Sequence, residues 1–444
     1  MPSEGKRLFG TDGVRGGANS IITPEFALAL GRAAGNLLES GPVIVGRDTR
    51  RSGEMLSSAL QAGFHASGID THDVGVLPSG GVAHLTQSSE ATMGAIISAS
   101  HNPAPDNGIK FLGSAGSKLT DEEEDKVDAR FRNGAPWSIS LGDAIGTRYV
   151  DSKAAFRYVD FLAGATEYSL RGIKVALDCA NGAAYKVAPD LFRKVKADVV
   201  VHADIPDGTN INDGVGATHP EFLAKQARGR IGLCFDGDAD RLIAIDEDGV
   251  PANGDVVMAV IARHLKEQGR LENDIVIGTV MSNLGFRRAM EELDIEFVAA
   301  AVGDRHVLEA MKKRKAVLGG EQSGHVIFLD TAPSGDGLLS ALRLLEVVAS
   351  SGKTLSELRS EVITEYPQVL HNVRVNDVAG LADAEELWAA VSQAETRLGP
   401  DGRILIRASG TEPLIRVMVE AASKELATEL ASDLALVTRN ELGT

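Results

Sequence analysis

The sequence is poor in cysteine, in aromatic residues and in long apolar runs. Its only cysteines, Cys179 and Cys234, exclude a disulfide framework and a cysteine-based zinc site. Each lies in an apolar run typical of a buried strand, so we expect two small buried side chains. No stretch approaches the roughly 18 apolar residues of a membrane span, and the segment MPSEGKRLFGTDG lacks the apolar core of a signal peptide. The sequence therefore predicts a cytoplasmic protein that does not enter a membrane.

Positive charge is also scarce. The 444 residues include 45 Lys and Arg against 62 Asp and Glu, which gives a formal net charge of −17. This acidic excess argues against binding to nucleic acid or to an anionic membrane surface, because those partners attract clustered Lys and Arg. It does not exclude a small anionic ligand, which needs only a local basic pocket. Glycine is plentiful at 48 residues, which indicates tight turns or close approach of a ligand.

Short apolar runs alternate with amphipathic helical patterns along most of the chain, which predicts βαβ units and mainly parallel sheets. Three times an apolar strand runs into a polar, glycine-containing loop and then into another apolar run. These segments are GAIISASHNPAPDNGIKFL from Gly94, IGLCFDGDADRLIAID from Ile231 and AVLGGEQSGHVIFLD from Ala316. The repeat predicts three related α/β domains, each with a loop at the carboxyl end of a strand, where ligands bind in open α/β sheets.

The last part of the chain has a different pattern. From about residue 370 a βαββα order predicts a small α+β domain. The predicted fold class is thus α/β, with three related α/β domains built on mixed, mainly parallel sheets and a C-terminal α+β domain. The predicted domain limits are residues 1–155, 156–254, 255–368 and 369–444.

The segment FDGDADR holds three alternating aspartates, Asp236, Asp238 and Asp240. In an extended segment alternate side chains point the same way, so the three carboxylates would converge on one point. Oxygen ligands select a hard cation such as Mg²⁺, Mn²⁺ or Ca²⁺. Glu247 would complete the acidic positions of an EF-hand loop, but Arg241 stands where that loop needs glycine. The sequence therefore favours Mg²⁺ over Ca²⁺.

A candidate phosphate carrier lies in SASHNP, directly after the apolar strand GAII. A serine at a strand end beside small residues is placed to act as a nucleophile or phosphate carrier, although Ser, Asn and Pro are also common in structural turns. His101 adjoins Ser100. Asn107 and Gly108 predict a turn that would bring Lys110 back toward this loop.

Two further loops carry polar groups suited to a sugar phosphate. Glu321, Ser323 and His325 alternate in GGEQSGHV and could bind several hydroxyl groups, or form a polar turn. A second loop combines hydroxyls, a glycine N–H and guanidinium groups, which together suit a phosphate. It contains Arg407, Ser409, Gly410, Thr411 and Arg416 and lacks the spacing of a nucleotide-binding P-loop. Metal, phosphate and polyol groups together predict phosphoryl transfer on a sugar phosphate.

Five motifs occur in order along the chain: FGTDGVRG from Phe9 to Gly16, ISASHNP with DNGIKF, DGDADR, GEQSGH and RASGTEPLIRV. With them essentially the whole chain resembles the α-D-phosphohexomutase family, most closely its bacterial glucosamine branch. The resemblance implies four domains around a central cleft and interconversion of glucosamine 6-phosphate and glucosamine 1-phosphate. It implies a phosphoserine that phosphorylates the substrate to a bound 1,6-bisphosphate and then takes back the other phosphate. The product would supply UDP-N-acetylglucosamine and peptidoglycan synthesis.

The same resemblance assigns roles to the candidate residues. Ser100 would carry the phosphate and, with the three aspartates, hold one Mg²⁺, while Arg241 would support the phosphoserine. Lys110 and His325 are the candidates for general acid and base. The substrate-binding set would be Thr11, Arg15 and His101 near Ser100, Glu321 and Ser323 on the sugar hydroxyls, and Arg407, Ser409, Gly410, Thr411 and Arg416 on the phosphate that is not transferred.

Two departures from the family pattern stand out. The turn Leu77–Gly81 replaces a Leu-Pro-Thr-Pro-like turn, and His306 stands where the glucosamine branch often has tyrosine. We expect neither to touch the groups that transfer the phosphoryl group.

Three alternatives stay open: a mutase for glucose or mannose phosphates, a Mg²⁺-dependent phosphatase, and a non-catalytic sugar-phosphate-binding protein. The sequence also leaves open whether the chain forms a homodimer. It does not show whether a kinase, autophosphorylation or a sugar bisphosphate such as glucose 1,6-bisphosphate primes Ser100.

Overall fold

The structure is a computed structural model that describes residues 7–10, 12–134, 137–376, 378–409 and 413–443. Contacts group the chain into two compact units, one with residues up to 281 and 295–362, the other with residues 282–294 and those from 363 onward. Three sheets lie in the first unit and one in the second.

The first sheet is six-stranded and mostly parallel. Its elements are β1 Val14–Gly17, α1 Pro24–Gly35, β2 Val43–Arg47, α2 Arg51–Ala66, β3 Thr71–Val76, α3 Ser79–Gln87, β4 Met93–Ile97, β5 Asp106–Gly113, α4 Asp121–Asn133 and β6 Arg148–Val150. The strand order is β1-β5-β4-β2-β3-β6, and β5 pairs antiparallel with both of its neighbours. Phe111 of β5 forms one continuous core with Leu30 of α1 and Phe64 of α2.

The second sheet is five-stranded, in the order β11-β10-β9-β7-β8. Its elements are α5 Ala154–Gly164, β7 Lys174–Asp178, α6 Ala184–Lys194, β8 Asp198–His202, α7 Pro220–Ala224, β9 Ile231–Phe235, β10 Leu242–Ile245 and β11 Pro251–Ala252. β7 pairs parallel with β8 and β9, whereas β10 runs antiparallel to β9.

The third sheet is four-stranded, in the order β13-β12-β14-β15. Its segment contains α8 Gly254–Glu267, β12 Ile275–Thr279, α9 Leu284–Glu292, β13 Glu296–Ala300, α10 Asp304–Arg314, β14 Leu318–Gly320, β15 Val326–Phe328, α11 Gly337–Ser351 and α12 Leu355–Val362. β12 pairs parallel with β13 and β14, and β15 runs antiparallel to β14.

One four-strand arrangement recurs in all three sheets. It is β3-β2-β4-β5 in the first, β8-β7-β9-β10 in the second and β13-β12-β14-β15 in the third, with the last strand antiparallel each time. The loop before that last strand carries SASHNP, DGDADR and GEQSGH respectively. The predicted repeat of three related α/β domains is confirmed, and each polar loop follows the carboxyl end of a strand, as expected for ligand sites.

The second unit contains the predicted α+β domain. Its elements after residue 363 are β16 Gln368–Arg374, α13 Glu385–Leu398, β17 Arg403–Ala408, β18 Leu414–Glu420 and α14 Lys424–Leu442. The antiparallel sheet has the order β16-β18-β17. One face packs on the two helices through residues such as Leu387, Val417 and Leu430. The βαββα prediction is confirmed, whereas the four domain limits and the central cleft stay predictions.

Cys179 and Cys234 are buried free cysteines, as predicted, and burial raises the pKa of both thiols well above the ordinary value. Among the described helices, none is long and apolar enough to cross a membrane.

Candidate active site

Ser100 lies in the turn after β4 and is almost fully buried. Its φ of 49° falls in the left-handed region, which residues with a side chain rarely adopt. Its Oγ donates a hydrogen bond to Asp236 Oδ2 at 2.5 Å and lies 3.5 Å from His101 Nδ1. Its backbone N–H donates to Ser98 Oγ at 2.9 Å. The turn thus directs the serine hydroxyl at the first of the three aspartates.

Asp236, Asp238 and Asp240 converge as predicted, but for a different reason. One carboxylate oxygen from each lies within 4.8 Å of the others, and all three residues are buried. The segment after β9 is a turn, in which Ala239 has a φ of 57°, rather than an extended strand. The carboxylates meet because the backbone folds around them, and simple alternation is the wrong explanation.

The triad fits a divalent cation. Asp238 Oδ1 and Asp240 Oδ1 are buried and accept no hydrogen bond from the described residues. Burial, followed by the charges of Asp240 and Asp238, raises the pKa of Asp236 to about 7. Grouping buried carboxylates is unfavourable unless a cation neutralises them. The donors are all oxygen, which suits a hard ion such as Mg²⁺.

Lys110 reaches this triad, although not through the predicted turn. Asn107 and Gly108 belong to β5, and the chain reverses earlier, over residues 101–105. Asn107 and Gly108 are held in the strand by pairing with Gly16 and Arg15 of β1, and the rest of β5, from Ile109, also pairs with β4. From β5, Lys110 Nζ lies 2.9 Å from Asp238 Oδ2.

A closed ring of alternating charges extends from the triad. Lys110 Nζ lies 3.2 Å from Asp12 Oδ2, which also pairs with Arg15. Lys118 contacts Asp12, and its Nζ lies 2.5 Å from Asp304 Oδ2. His325 closes the ring, with Nε2 at 3.7 Å from Asp304 Oδ2 and Nδ1 at 3.5 Å from Asp240 Oδ2. The members of this charge ring, in order, are Lys110, Asp12, Lys118, Asp304, His325 and Asp240, and Lys110 Nζ also lies 3.9 Å from Asp240 Oδ2.

The ring sets the charge of its members. Burial alone lowers the pKa of His325, but Asp240 and Asp304 outweigh burial, and the net shift is upward. The imidazolium form is therefore more favoured here than in an ordinary histidine. The pKa of Asp240 falls well below its usual value, because His325 and Lys110 outweigh the effect of burial.

The turn Leu77–Gly81 also contacts the triad. Ser79 Oγ donates to Asp238 Oδ2 at 2.7 Å, and the Ser79 N–H donates to the Asp238 carbonyl at 2.9 Å. A Cβ at Gly80 would overlap Asp336 Oδ2, and one at Gly81 would lie 2.8 Å from Leu77 Cγ. The expectation that this departure does not touch the phosphoryl-transfer groups is therefore wrong.

Among the other residues predicted beside Ser100, Arg241 contacts the triad. The Arg241 N–H donates to Asp236 Oδ1 at 3.2 Å, and its Nε lies 3.9 Å from Asp240 Oδ1. Burial, followed by the charges of Arg241 and Arg15, lowers the pKa of His101 to about 4. His101 is therefore neutral at pH 7 and able to accept a hydrogen bond. Thr11 lies outside the described residues.

The GEQSGH segment is a turn, so its three polar side chains have different surroundings. Glu321 Oε1 accepts a hydrogen bond from the Gly303 N–H at 3.0 Å. Ser323 is exposed, whereas His325 is buried in the charge ring. Binding of sugar hydroxyls by Glu321 and Ser323 stays a prediction.

In the second unit, Arg407 and Arg416 are directly opposite on β17 and β18. Like charges in this arrangement repel each other, and an anion between them would remove the penalty. Arg416 Nε is buried and has no hydrogen-bond partner among the described residues. The Ser409 N–H donates to the Leu414 carbonyl at 2.9 Å. The other two predicted phosphate-binding residues, Gly410 and Thr411, lie outside the described residues.

Sequence reasoning missed several residues of the first unit's site. They share one signal, because each lies in the loop that follows a parallel strand or at the first residue of the helix after it, the same edge that carries Ser100 and the triad. These residues are Asp48 and Arg50 after β2, Ser79 after β3, Asn212 after β8 and Asp304 after β13.

Comparison with known proteins places this geometry in a family. Models of phosphoglucomutase/phosphomannomutase domains match in order: α/β/α domain I at residues 6–136, domain II at 156–249, domain III at 253–366 and the C-terminal domain at 370–437. The chain therefore belongs to the phosphoglucomutase/phosphomannomutase family, the α-D-phosphohexomutases. It is an enzyme of the isomerase class.

Among curated relatives, the phosphoglucosamine mutase of Halalkalibacterium halodurans is 47% identical, over 98% of this chain and 99% of its own. A phosphoglucomutase/phosphomannomutase family protein from Burkholderia thailandensis has the same fold, with a TM-score of 0.82, 24% identity, and coverage of 98% of this chain and 97% of its own. An N-acetylphosphoglucosamine mutase from Aspergillus fumigatus, solved with GlcNAc-6P and magnesium, has a TM-score of 0.71 at 20% identity and covers 99% and 97%.

Proposed function

We propose that the protein interconverts glucosamine 6-phosphate and glucosamine 1-phosphate, with Ser100 as the phosphoryl carrier. The observation that supports this most directly is the Ser100 Oγ at 2.5 Å from Asp236, inside a buried aspartate triad with unsatisfied oxygens. The preference for glucosamine is supported by the 47% identity to phosphoglucosamine mutases over nearly the whole chain.

The reaction has two balanced transfers. In the first, the phosphoryl group leaves Ser100 Oγ and bonds to the 1-hydroxyl oxygen of glucosamine 6-phosphate, whose proton passes to Ser100 Oγ. The product is glucosamine 1,6-bisphosphate. The bound intermediate then reorients so that its 6-phosphate faces Ser100. The 6-phosphoryl group bonds to Ser100 Oγ, and the Ser100 proton passes to the oxygen at position 6. Ser100 is then phosphorylated again, and glucosamine 1-phosphate is released.

The oxygens of Asp236, Asp238, Asp240 and the Ser100 phosphate would hold one Mg²⁺. When bound, the ion neutralises charge that develops on the phosphoryl oxygens. Ser79 and Lys110 hold Asp238 Oδ2 and leave Oδ1 free for the ion.

Proton transfer falls to Lys110 and His325, the two cations of the charge ring that contact the triad. The raised pKa of His325 favours a protonated imidazole that can donate to a leaving oxygen. Arg241, Arg15 and the neutral His101 would bind the phosphoserine and the incoming phosphate.

The rest of the substrate would bind to groups already described. Glu321 and Ser323 would accept and donate hydrogen bonds to sugar hydroxyls. The facing guanidiniums of Arg407 and Arg416 would bind the phosphate that is not transferred, since both lie on one face of the β17–β18 pair. The same phosphate would also be bound by Ser409, Gly410 and Thr411. Thr11 would bind the substrate near Ser100.

Phosphorylation of Ser100 is the decisive test. Mass spectrometry of the purified enzyme after incubation with glucose 1,6-bisphosphate should find phosphate on Ser100, and Ser100→Ala should abolish isomerisation without lowering the unfolding temperature. Ser88→Ala, at an exposed serine, serves as the control and should retain full activity. Normal turnover by Ser100→Ala would refute the proposal.

Substrate preference needs a separate assay, with the 6-phosphates of glucosamine, glucose and mannose compared at equal concentration. Slowest turnover of glucosamine 6-phosphate would favour the alternative mutase. Release of inorganic phosphate faster than isomer formation would instead indicate a phosphatase. Ligand binding without either reaction would indicate a sugar-phosphate-binding protein.

Whether the chain forms a homodimer and whether a kinase primes Ser100 stay open. Light scattering of the purified protein measures the first. Phosphate on Ser100 after expression in cells, absent from enzyme made in a cell-free system without kinases, would support the second.

A further inference from the structure

The Arg50 side chain is completely buried behind the Ser100 turn. Its Nε donates to Asp48 Oδ2 at 2.8 Å, which neutralises the guanidinium. Its two terminal nitrogens donate to four backbone carbonyls of the turn: Ser100 at 2.9 Å, Asn102 at 2.7 Å, Pro103 at 2.5 Å and Asp106 at 2.9 Å. A single side chain therefore holds the whole reversal between β4 and β5.

Asn212 holds the same turn from the second sheet. It lies in the loop between β8 and α7, and its Nδ2 donates to the Ser100 carbonyl at 2.9 Å and to the Asn102 carbonyl at 3.1 Å. The Ser100 carbonyl thus accepts two hydrogen bonds, one from Arg50 and one from Asn212. Two loops that are far apart in the sequence, one with Arg50 and one with Asn212, thus hydrogen-bond to the backbone of Ser100.

The DGDADR loop packs against the carbonyl of Ser100. A Cβ at Gly237, between the first two aspartates, would lie 2.5 Å from the Ser100 oxygen and 2.9 Å from Asn212 Nδ2. The position of the Ser100 carbonyl is therefore linked to the position of Asp236 and Asp238. A shift of the serine turn would change the distance between the serine hydroxyl and the carboxylates.

We propose that Arg50 and Asn212 are positioning residues for phosphoryl transfer, which hold Ser100 in its left-handed conformation and thereby aim Oγ at the metal triad. This inference rests on the proposed role of Ser100. The left-handed φ of 49° is unfavourable for serine, so it needs restraints from outside the turn. Both side chains donate to backbone, and Arg50 is inaccessible to any ligand. Their loss should therefore lower kcat and leave KM for the sugar phosphate unchanged.

The test replaces Asn212 by alanine and by aspartate. Alanine removes both donors, and aspartate places a carboxylate oxygen against two carbonyl oxygens. The matched control is Asn181→Ala, because Asn181 also has a left-handed φ (48° against 58°) and also ties this loop, through Ile205 and Asn210, without a side-chain bond to the serine turn. Arg50→Lys is a second variant, which keeps the charge beside Asp48 and loses the forked donors.

We expect both Asn212 variants to lose about ten- to a hundredfold in kcat, since a displacement of about an ångström has effects of this size. KM for glucosamine 6-phosphate should stay within about twofold, and the unfolding temperature should fall no further than in Asn181→Ala. Turnover is normalised to the fraction of enzyme that carries phosphate on Ser100, measured by mass spectrometry. Arg50→Lys should show the same loss in kcat if it folds, and the Asn212 variants decide the matter if it does not.

Two results would overturn the inference: kcat equal to that of Asn181→Ala, or a loss that disappears when activity is divided by the amount of folded enzyme. Wild-type enzyme that turns over with no phosphate on Ser100 would instead refute the proposed function, and with it the basis of the positioning role.

Discussion

Replacing Ser79 by alanine is expected to weaken Mg²⁺ binding, because its hydroxyl fixes one of the three carboxylates proposed to bind the ion. Ser79 Oγ donates to Asp238 Oδ2 at 2.7 Å in a buried setting, with Lys110 as the other side-chain donor to that oxygen. Without the hydroxyl, Lys110 remains as the one described side-chain donor to Asp238 Oδ2, so the carboxylate rotates more easily away from Asp236 and Asp240.

The magnitude follows from the charge and burial of this bond. A hydrogen bond to a charged group contributes about 1.5–3 kcal/mol. Since about 1.4 kcal/mol corresponds to a factor of ten in a binding constant, the whole bond is equivalent to a factor of roughly 10–150. Residues that orient metal ligands typically change metal affinity by about 10–100-fold. We therefore expect the Mg²⁺ concentration for half-maximal activity to rise about tenfold or more in Ser79→Ala.

The assay is isomerisation by EDTA-treated enzyme titrated with Mg²⁺, with calorimetric titration of the same samples. Ser340→Ala is the control, because Ser340 is also buried and donates to the Asp336 backbone carbonyl. It should lose stability without a change in Mg²⁺ dependence. A Ser79→Ala enzyme with the Mg²⁺ dependence of the wild type would refute the reasoning.

Three further outcomes follow from other parts of the structure. Gly80→Ala should lower the free energy of unfolding by about 1–3 kcal/mol, because its Cβ would overlap the Asp336 carboxylate. The control is Gly164→Ala, where a Cβ meets open space and should change the stability little. Urea unfolding of the two variants measures the difference. Burial raises the pKa of Asp178 to about 6 from 3.8, so the folded state binds this proton more tightly than the unfolded chain. Stability should therefore fall by about 3 kcal/mol from this group as pH rises from about 4 to about 6, and urea unfolding of Asp178→Asn at several pH values should show a flatter profile. Arg416→Met should raise KM for the sugar phosphate about tenfold or more, because it removes one of the two guanidiniums proposed to bind the phosphate that is not transferred. Stability should not fall, since the substitution also relieves the repulsion of a like-charged pair. An unchanged KM would refute phosphate binding by Arg416.

The features predicted from sequence are those with a local signal. The strand–loop–strand repeat, the buried cysteines and the convergence of three aspartates all follow from residues close together in the chain. The contacts that were missed join distant segments. Ser79 and Asp238 are 159 positions apart, and Asn212 and Ser100 are 112 positions apart. A single serine or asparagine in a loop has no pattern that identifies such a partner.

The local signal can also mislead when tertiary structure opposes it. Asn-Gly is a strong turn signal, but Asn107 and Gly108 lie in a strand that is paired along both edges. A Cβ at Gly108 would lie 2.7 Å from the carbonyls of Ser98 and Val14. Here glycine allows close strand packing rather than a turn, and the neighbouring strands determine which of its two uses applies.

In the four-strand arrangement that recurs in three sheets, the strands provide stability and the loops carry the polar side chains. Each sheet is held by its own strand pairs and core, while the SASHNP, DGDADR or GEQSGH segment lies in the loop before its antiparallel last strand. If Glu321 and Ser323 bind the sugar as proposed, a substitution at either one would alter which sugar is accepted, whereas a substitution of His325 would also disturb Asp240 of the DGDADR loop. Such an architecture lets substrate range diversify among descendants of one gene while the transfer step is preserved.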